Sequence, residues 1–188
     1  IILAYRPGSQ GANAIADIVF GDANPSGILP FTYPQFSGDV VLYDHKGTER
    51  IREDIPNTYG SGGYRPQYPF GHGLSYTSFE YNDLTISSIS MNAGEELLIS
   101  VKVKNTGNMD GKHATELYLR DLFASITPAH KKLKGFQKVM LKAGEEKTLT
   151  FKLVAEDMSF INATGKRVTE PGTFEVMVGE LKKSFEYK

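Results

Sequence analysis

The sequence contains no cysteine among its 188 residues. A disulfide framework, a thiolate nucleophile and a cysteine-ligated metal are therefore excluded, and the redox compartment is left open. The chain also lacks an excess of charge of one sign, because 21 Lys and Arg residues stand against 22 Asp and Glu residues. Because its charges nearly balance, the chain has no net positive field that would attract a polyanion, and the composition predicts no nucleic-acid partner. No apolar run approaches the ~20 residues that a membrane span needs, so no membrane partner is predicted either.

The composition that is present, 40% hydrophobic and 23% charged, is typical of a globular chain with one or two domains. The run from Ile1 to Tyr5 is continuously apolar, which predicts a strand buried on both faces in a parallel sheet. Since this run opens the chain without an initiator Met, we expect the sequence to begin inside a larger domain.

A helix is predicted directly after this strand. Ser9 is the expected N-cap and Gly21 the expected left-handed residue at the C-terminal end. The apolar stripe of this helix consists of Ala12, Ile15, Ala16, Ile18 and Val19, and we expect Ile15, Ile18 and Val19 to be partly uncovered without the rest of the domain.

Residues 22–77 are dense in proline and glycine and also rich in aromatic side chains. This composition predicts an ordered connector that wraps over a surface, because a stretch this long without structure is uncommon in a compact domain. The aromatic stretch from Tyr59 to Tyr76 could stack on sugar rings, but packing between domains fits it better. The aromatic residues of the whole region 22–77 that indicate an ordered connector are Phe31, Tyr33, Phe36, Tyr43, Tyr59, Tyr64, Tyr68 and Phe70.

After Phe79 the apolar residues alternate with polar ones at a period of two, which predicts strands that bury one face. The alternating runs lie at 97–104, 115–120, 148–153 and 174–178. Turn residues such as those at 92–94, 105–108, 142–144 and 163–165 separate the runs. About seven short strands in this region predict a mainly β fold, an immunoglobulin-like antiparallel sandwich. The antibody Cys-Trp-Cys pattern is absent, so the fibronectin type III branch fits better. The cluster of lysines at 131–134 is expected to be a solvated strand edge.

Candidate catalytic groups are few. The only acidic cluster in the first half comprises Asp44, Glu49, Glu53 and Asp54, and a solvated loop explains it better than the carboxylate pair of a glycosidase. The four histidines, at 45, 72, 113 and 130, lack metal-ligand spacing, so no metal site is predicted. His45 follows Asp44 and could form an oriented pair with it, although an ordinary structural role fits better.

The segment from Arg6 to Gly11 is similar to an anion-binding loop at a helix start, but it lacks both phosphate-binding signatures. A tight strand-to-helix turn explains it better. No serine nucleophile elbow is present. The sequence therefore predicts no catalytic, cofactor-binding or metal-binding residue.

Four stretches in this order resemble one known family. The first stretch joins RPGSQG at 6–11 to NAIADIVFGD at 13–22. The others are NPSGILP at 24–30, YPFGHGLSYTSF at 68–79, and a segment that begins with VKVKNTG at 101–107 and extends to Gly111. Together they resemble the C-terminal part of glycoside hydrolase family 3, the β-glucosidase and β-xylosidase family, over essentially the whole chain.

The resemblance implies that 1–37 is the end of an α/β sandwich domain, 38–78 a connecting segment and 79–188 a fibronectin type III-like β-sandwich. Enzymes of the family are retaining hydrolases whose catalytic aspartate and glutamate lie upstream of the matched stretches. It implies a parent enzyme that releases terminal sugars from β-linked oligosaccharides or glycosides. The chain itself is expected to be an inactive, supporting fragment that needs no cofactor.

The expected partners are the barrel and α/β domains of the same polypeptide and, for the whole enzyme, a carbohydrate substrate. The resemblance suggests a periplasmic or extracellular location, while a cytoplasmic one stays open. We expect the sandwich to fold independently and residues 1–37 to be poorly ordered or to form a dimer through exposed apolar surface. The alternative is a non-catalytic β-sandwich module that binds carbohydrate or protein.

Overall fold

The computed structural model describes residues 1–46 and 66–188. Within them one helix, α1, spans Gly11–Phe20 and precedes all of the strands. A single 3-10 turn follows later at Ala155–Met158. The strands are β1 Phe79–Ile86, β2 Ser90–Met91, β3 Glu96–Asn105, β4 Gly111–Asp121, β5 Lys132–Leu141, β6 Glu146–Val154, β7 Phe160–Ile161, β8 Arg167–Val168, β9 Gly172–Val178 and β10 Leu181–Tyr187.

Two sheets form the main body of the chain. One has the order β1-β3-β6 and the other the order β2-β10-β9-β4-β5, while β7 and β8 make a small hairpin. Every pairing is antiparallel except that of β2 with β10. The structure thus confirms a mainly β, fibronectin type III-like sandwich, and the expected antiparallel pattern holds apart from this short parallel pair.

The core lies between the two sheets and is built from the inward-facing residues that the period of two predicted. Along β3, Leu97, Ile99, Val101 and Val103 are fully buried, while the residues between them are exposed or half-buried. The opposite sheet contributes buried residues that include Leu117, Leu119, Phe174, Val176, Val178 and Phe185. Burial of this apolar area is the main force that holds the two sheets together.

The predicted turns between strands are present. Gly94, Gly144 and Gly165 each adopt a positive φ, between 76° and 85°, in the turns before β3, before β6 and between β7 and β8. A residue with a Cβ is strained in this region, so glycine fits these turns.

The predicted strand at residues 1–5 is wrong. The structure has no strand there, and Ile1, Ile2, Leu3 and Tyr5 are between 46% and 113% exposed. A strand is stabilised by the hydrogen bonds of a neighbouring strand. None of the described residues pairs with this run.

Helix α1 is confirmed, with one correction at its start. Gly21 ends the helix in the left-handed region, at φ 86°, and donates its N–H to the Ile18 carbonyl. The N-cap, however, is Gln10 and not Ser9, and its side chain makes no capping hydrogen bond. Gly8 takes a positive φ and its carbonyl accepts from the Gly11 N–H at 3.2 Å, which places the first helical turn one residue later than predicted.

Candidate functional site

The predicted acidic cluster lies mostly outside the described residues. Asp44 is half-buried in the structure, whereas Glu49, Glu53 and Asp54 fall in the part of the chain that is not described. The absence of a catalytic pair therefore stays a prediction.

The four histidines occupy three places in the fold, since His45 and His130 lie together. The His45 ring stacks on the His130 ring with centroids 5.2 Å apart, and His72 stacks on Tyr68 at 4.8 Å. His113 lies within β4, far along the chain from the other stacks. Over residues 1–46 and 66–188, no group of three or more His, Cys, Asp or Glu side chains could hold a metal ion.

The turn from Arg6 to Gly11 is a compact entry into α1. A Cβ at Gly11 would collide with the Pro7 ring, so glycine is required where the chain folds back on itself. This geometry supports the tight-turn interpretation over an anion cradle.

The connector, residues 38–78, contacts the sandwich at more than one place among its described residues. In the first, the His130 N–H donates to the His45 carbonyl at 2.7 Å, and Lys46 Nζ donates to the Thr127 carbonyl at 2.8 Å. These bonds join residues 45–46 to the loop between β4 and β5.

The second attachment lies against the outer face of β4. Tyr118 donates its hydroxyl to Glu116 Oε2 at 2.6 Å, and Lys131 Nζ lies 4.1 Å from the centroid of the Tyr118 ring. A Cβ at Gly71 would come within 2.6 Å of Glu116 Oε2, so the connector backbone passes close to this carboxylate. Burial lowers the pKa of Lys131, and the charge of Glu116 opposes that effect.

This arrangement changes the interpretation of the lysine cluster. β5 is an edge strand, as expected, but Lys131 and Lys134 are half-buried and burial lowers the pKa of both. The period of two along β4 is sufficient to predict that Glu116 and Tyr118 lie on the same face of the strand. Nothing in the sequence indicated that the connector crosses that face.

Backbone hydrogen bonds also fold the connector against the segment after α1. The Leu29 N–H donates to the His72 carbonyl at 2.8 Å, and the Gly71 N–H donates to the Leu29 carbonyl at 2.9 Å. Tyr33 forms an isolated antiparallel bridge with Tyr68. The residues after α1 and the end of the connector therefore form one structural unit, which agrees with the predicted wrapping connector over residues 22–46 and 66–77. The rest of the predicted connector, with Tyr59 and Tyr64, lies outside the described residues.

A row of aromatic rings lines this unit. Successive centroids along the row are 4.8–6.5 Å apart, in the order Tyr5, Phe31, Tyr33, Tyr68 and His72. The planes of neighbouring rings differ by 74°, 33°, 64° and 22° along the row. Two of the four pairs pack edge to face, one is tilted and one is stacked, so the row as a whole does not present one flat platform.

The segment 1–36, which contributes three rings to this row, exposes many large apolar side chains. Exposed side chains include Ile1, Ile2, Leu3, Tyr5, Val19, Phe20, Phe31, Tyr33 and Phe36. Such a concentration of large apolar side chains is typical of a surface that packs against other protein. No helix within the described residues is long and apolar enough to cross a membrane.

Comparison with known proteins accounts for both parts of the chain. The profile of the glycosyl hydrolase family 3 C-terminal domain matches residues 1–76, and that of the fibronectin type III-like domain matches residues 113–182. The chain belongs to glycoside hydrolase family 3. Within this family it corresponds to the C-terminal region, as the resemblance predicted.

Relatives in the family match the chain almost from end to end. A periplasmic β-glucosidase from Salmonella typhimurium is 43% identical over 185 residues, which cover 95% of this chain and 24% of that protein. A β-xylosidase from Formosa agariphila is 37% identical over 193 residues, covering 100% of this chain and 26% of that protein. The chain therefore spans about a quarter of the length of these curated relatives.

Solved structures of the family agree with the fold. A β-glucosidase from Erythrobacter marinus superimposes with a TM-score of 0.86 at 40% identity, over 98% of this chain and 25% of that one. A β-glucosidase from Listeria innocua, in complex with gluconolactone, gives a TM-score of 0.86 at 37% identity, over 96% of this chain and 26% of that one.

Proposed function

We propose that this chain is the C-terminal region of a retaining glycoside hydrolase that releases terminal sugars from β-linked oligosaccharides or glycosides. The observation that carries the proposal is the end-to-end match to β-glucosidases and a β-xylosidase, of which the chain spans only the C-terminal quarter. Within the whole enzyme, the catalytic carboxylates belong to the preceding domains, and this region supports them. The division at 37/38 and 78/79 is part of the same proposal.

The supporting role is proposed from the contrast between the sandwich and the segment that precedes it. The sandwich has a complete core of its own, whereas the segment from Ile1 to Phe36 exposes large apolar side chains. We propose that the preceding domains of the same polypeptide cover that segment. Area removed from water contributes about 25 cal/mol per Å², so covering several such side chains stabilises the assembly by several kcal/mol, at roughly 1.5–3 kcal/mol for each fully buried side chain.

An activity comparison tests this function. The 188-residue chain and the full polypeptide are assayed on aryl β-glucosides and aryl β-xylosides. We expect hydrolysis with retention of anomeric configuration from the full polypeptide only. Turnover by the 188-residue chain alone would contradict the proposal that the catalytic groups lie outside it.

A carbohydrate-binding module is the alternative function, and the same material tests it. The aromatic row lacks a common plane, which argues against stacking on successive sugar rings. Titration with cello-oligosaccharides, followed by tyrosine fluorescence, is expected to show no saturable binding at millimolar concentration. Saturable binding would favour the module.

The location and oligomeric state complete the proposal. The Salmonella relative is named periplasmic and a Dictyostelium discoideum relative lysosomal, which supports a location outside the cytosol for this protein. In the isolated chain, the exposed apolar segment is expected to drive dimerisation. Sedimentation at increasing concentration measures this, and a strict monomer at 100-fold excess over the lowest concentration would argue against it.

A further inference from the structure

Asn24 joins three parts of the chain through its side-chain amide. Its Oδ1 accepts from the Ser75 hydroxyl and from the Tyr76 N–H, both at 2.9 Å, and its Nδ2 donates to the Asp110 carbonyl at 3.3 Å. One side chain just after α1 thus holds both the end of the connector and the loop that enters β4. A side-chain amide can donate and accept hydrogen bonds at the same time, and Asn24 does both.

Tyr76 extends the contact back to α1. Its hydroxyl donates to the carbonyl of Ile18 at 2.8 Å, near the C-terminal end of the helix. The helix end and the connector are therefore held by the same pair of residues.

Asn105 continues the contact into the sandwich. It is fully buried at the end of β3, and its Oδ1 accepts from the Thr77 hydroxyl at 2.6 Å and from the Gly107 N–H at 3.1 Å. Its Nδ2 donates to the carbonyls of Met109 and Leu141, at 2.7 and 3.1 Å. We call the set Asn24, Ser75, Tyr76, Thr77, Asn105 and Asp110 the polar junction.

Two glycines show how closely the parts of the polar junction approach. A Cβ at Gly107 would collide with the Thr77 hydroxyl, and a Cβ at Gly111 would collide with Asn24 Nδ2 and with the Thr77 methyl group. Both glycines belong to the loop and strand start that receive the connector. The approach leaves no space for a side chain at either position.

The polar junction lies where the two family profiles leave a gap. Asn24, Ser75 and Tyr76 fall within 1–76, Thr77, Asn105 and Asp110 fall in the unmatched residues 77–112, and the fibronectin type III-like match begins only at 113. We propose that the polar junction is an interdomain lock, in which Asn24 is the positioning residue that fixes α1 and the connector in one orientation on the sandwich. This inference goes beyond the proposed function and does not depend on catalysis.

A distance measurement tests the lock directly. Because the chain has no cysteine, spin labels can be attached at Asp17→Cys on α1 and Lys183→Cys on β10, both at exposed positions. Double electron–electron resonance spectroscopy then gives the distribution of distances between the label on the helix and the label on the sandwich. We expect one narrow distribution in the otherwise unchanged chain, and a distribution at least twice as wide when Asn24→Ala is added.

Matched variants separate positioning from general damage. Asn13→Ala removes an exposed asparagine from α1 and is expected to leave the distribution unchanged. Asn24→Asp keeps the acceptor for Ser75 and Tyr76 but loses the donor to Asp110, so it should give an intermediate width. Amide exchange adds a local readout: the Tyr76 N–H should exchange at least tenfold faster in Asn24→Ala, since its acceptor is gone.

The outcomes decide the proposal in either direction. A distribution in Asn24→Ala as narrow as in the parent chain would overturn the lock. If Asn24→Ala does not fold, Asn24→Asp takes its place, because it removes the donor to the Asp110 carbonyl and keeps the acceptor, and an unchanged width there would also overturn the lock. No activity is measured in these experiments, so their failure leaves the proposed function untouched.

Discussion

Replacing Asn105 by alanine should destabilise the sandwich more than an ordinary polar substitution does. The side chain is fully buried and makes four hydrogen bonds, to Thr77, Gly107, Met109 and Leu141. The substitution removes all four and leaves buried groups, the Thr77 hydroxyl and the Leu141 carbonyl, without these partners. Each of these two groups costs about 1–3 kcal/mol when it is left unsatisfied, so the expected loss is about 2–6 kcal/mol.

A loss of this size is readily measured against the whole stability of a domain, which is about 5–15 kcal/mol. Urea unfolding followed by far-UV circular dichroism gives the free energy of unfolding, with the slope m expected to stay unchanged because the folded structure persists. The chain has no tryptophan, so circular dichroism is the better probe.

Asn108→Ala is the matched control, because this asparagine lies in the same loop but is exposed. Its expected effect is within about 0.5 kcal/mol. Asn105→Asp adds a chemical test: it keeps the two acceptors but directs a carboxylate at two carbonyl oxygens, so it should be strongly destabilising at neutral pH and less so in acid. A loss below about 0.5 kcal/mol in Asn105→Ala would refute the reasoning, since it would show that the four bonds contribute nothing net.

Three further predictions concern the core, the junction and pH. Phe174→Ala, at a side chain that is 1% exposed, should cost about 3–5 kcal/mol in urea unfolding, whereas Phe136→Ala, at one that is 69% exposed, should cost less than about 1 kcal/mol. Gly111→Ala should destabilise the chain by about 1–3 kcal/mol, because the new methyl group collides with Asn24; Asn24→Ala in the same chain should recover part of the loss. Burial lowers the pKa of His113, so the folded chain keeps this ring neutral where the unfolded chain takes up a proton. Its contribution to stability is therefore full above the ordinary histidine pKa of about 6.5 and is lost as the pH falls below it, and His113→Gln should flatten the dependence of the unfolding free energy between about pH 7 and pH 5.

The central strands could be predicted from the sequence because they bury one face against the opposite sheet. β3 and β6 alternate between buried and exposed residues over most of their length, and the period of two reports that directly. β9 was also predicted, although the end of this strand is buried on both faces, at Val176, Met177 and Val178.

The outer strands gave a weaker signal for identifiable reasons. In β1 the register shifts between Asn82 and Thr85, and Asp83 takes a positive φ of 53°, so the alternation breaks in the middle of the strand. β10 has a run of three polar residues after Leu181 and buries only Phe185 and Tyr187. An edge or interrupted strand is specified by its partner more than by its own pattern, which a single sequence does not show.

The connector and the polar junction were the least predictable parts. Aromatic density indicated that the connector is ordered, but the pairing of Tyr33 with Tyr68 joins residues 35 positions apart, and no local period encodes such a contact. Asn105 was interpreted as part of a turn, on its residue type. In the structure it ends β3 and is buried, because its amide substitutes for backbone partners that the neighbouring loops would otherwise lack.

Apolar packing and the hydrogen bonds of the polar junction have different consequences for the orientation of α1 on the sandwich. Apolar burial between the sheets is non-directional and tolerates small shifts, whereas the hydrogen bonds of the polar junction hold only within a narrow range of distance and angle. An attachment made by apolar contact alone would keep α1 near the sandwich without fixing its angle. Asn24→Leu should therefore leave α1 attached but in several orientations, with a Tyr76 amide that exchanges freely, and a single narrow distance in that variant would show that packing and not the amide sets the angle.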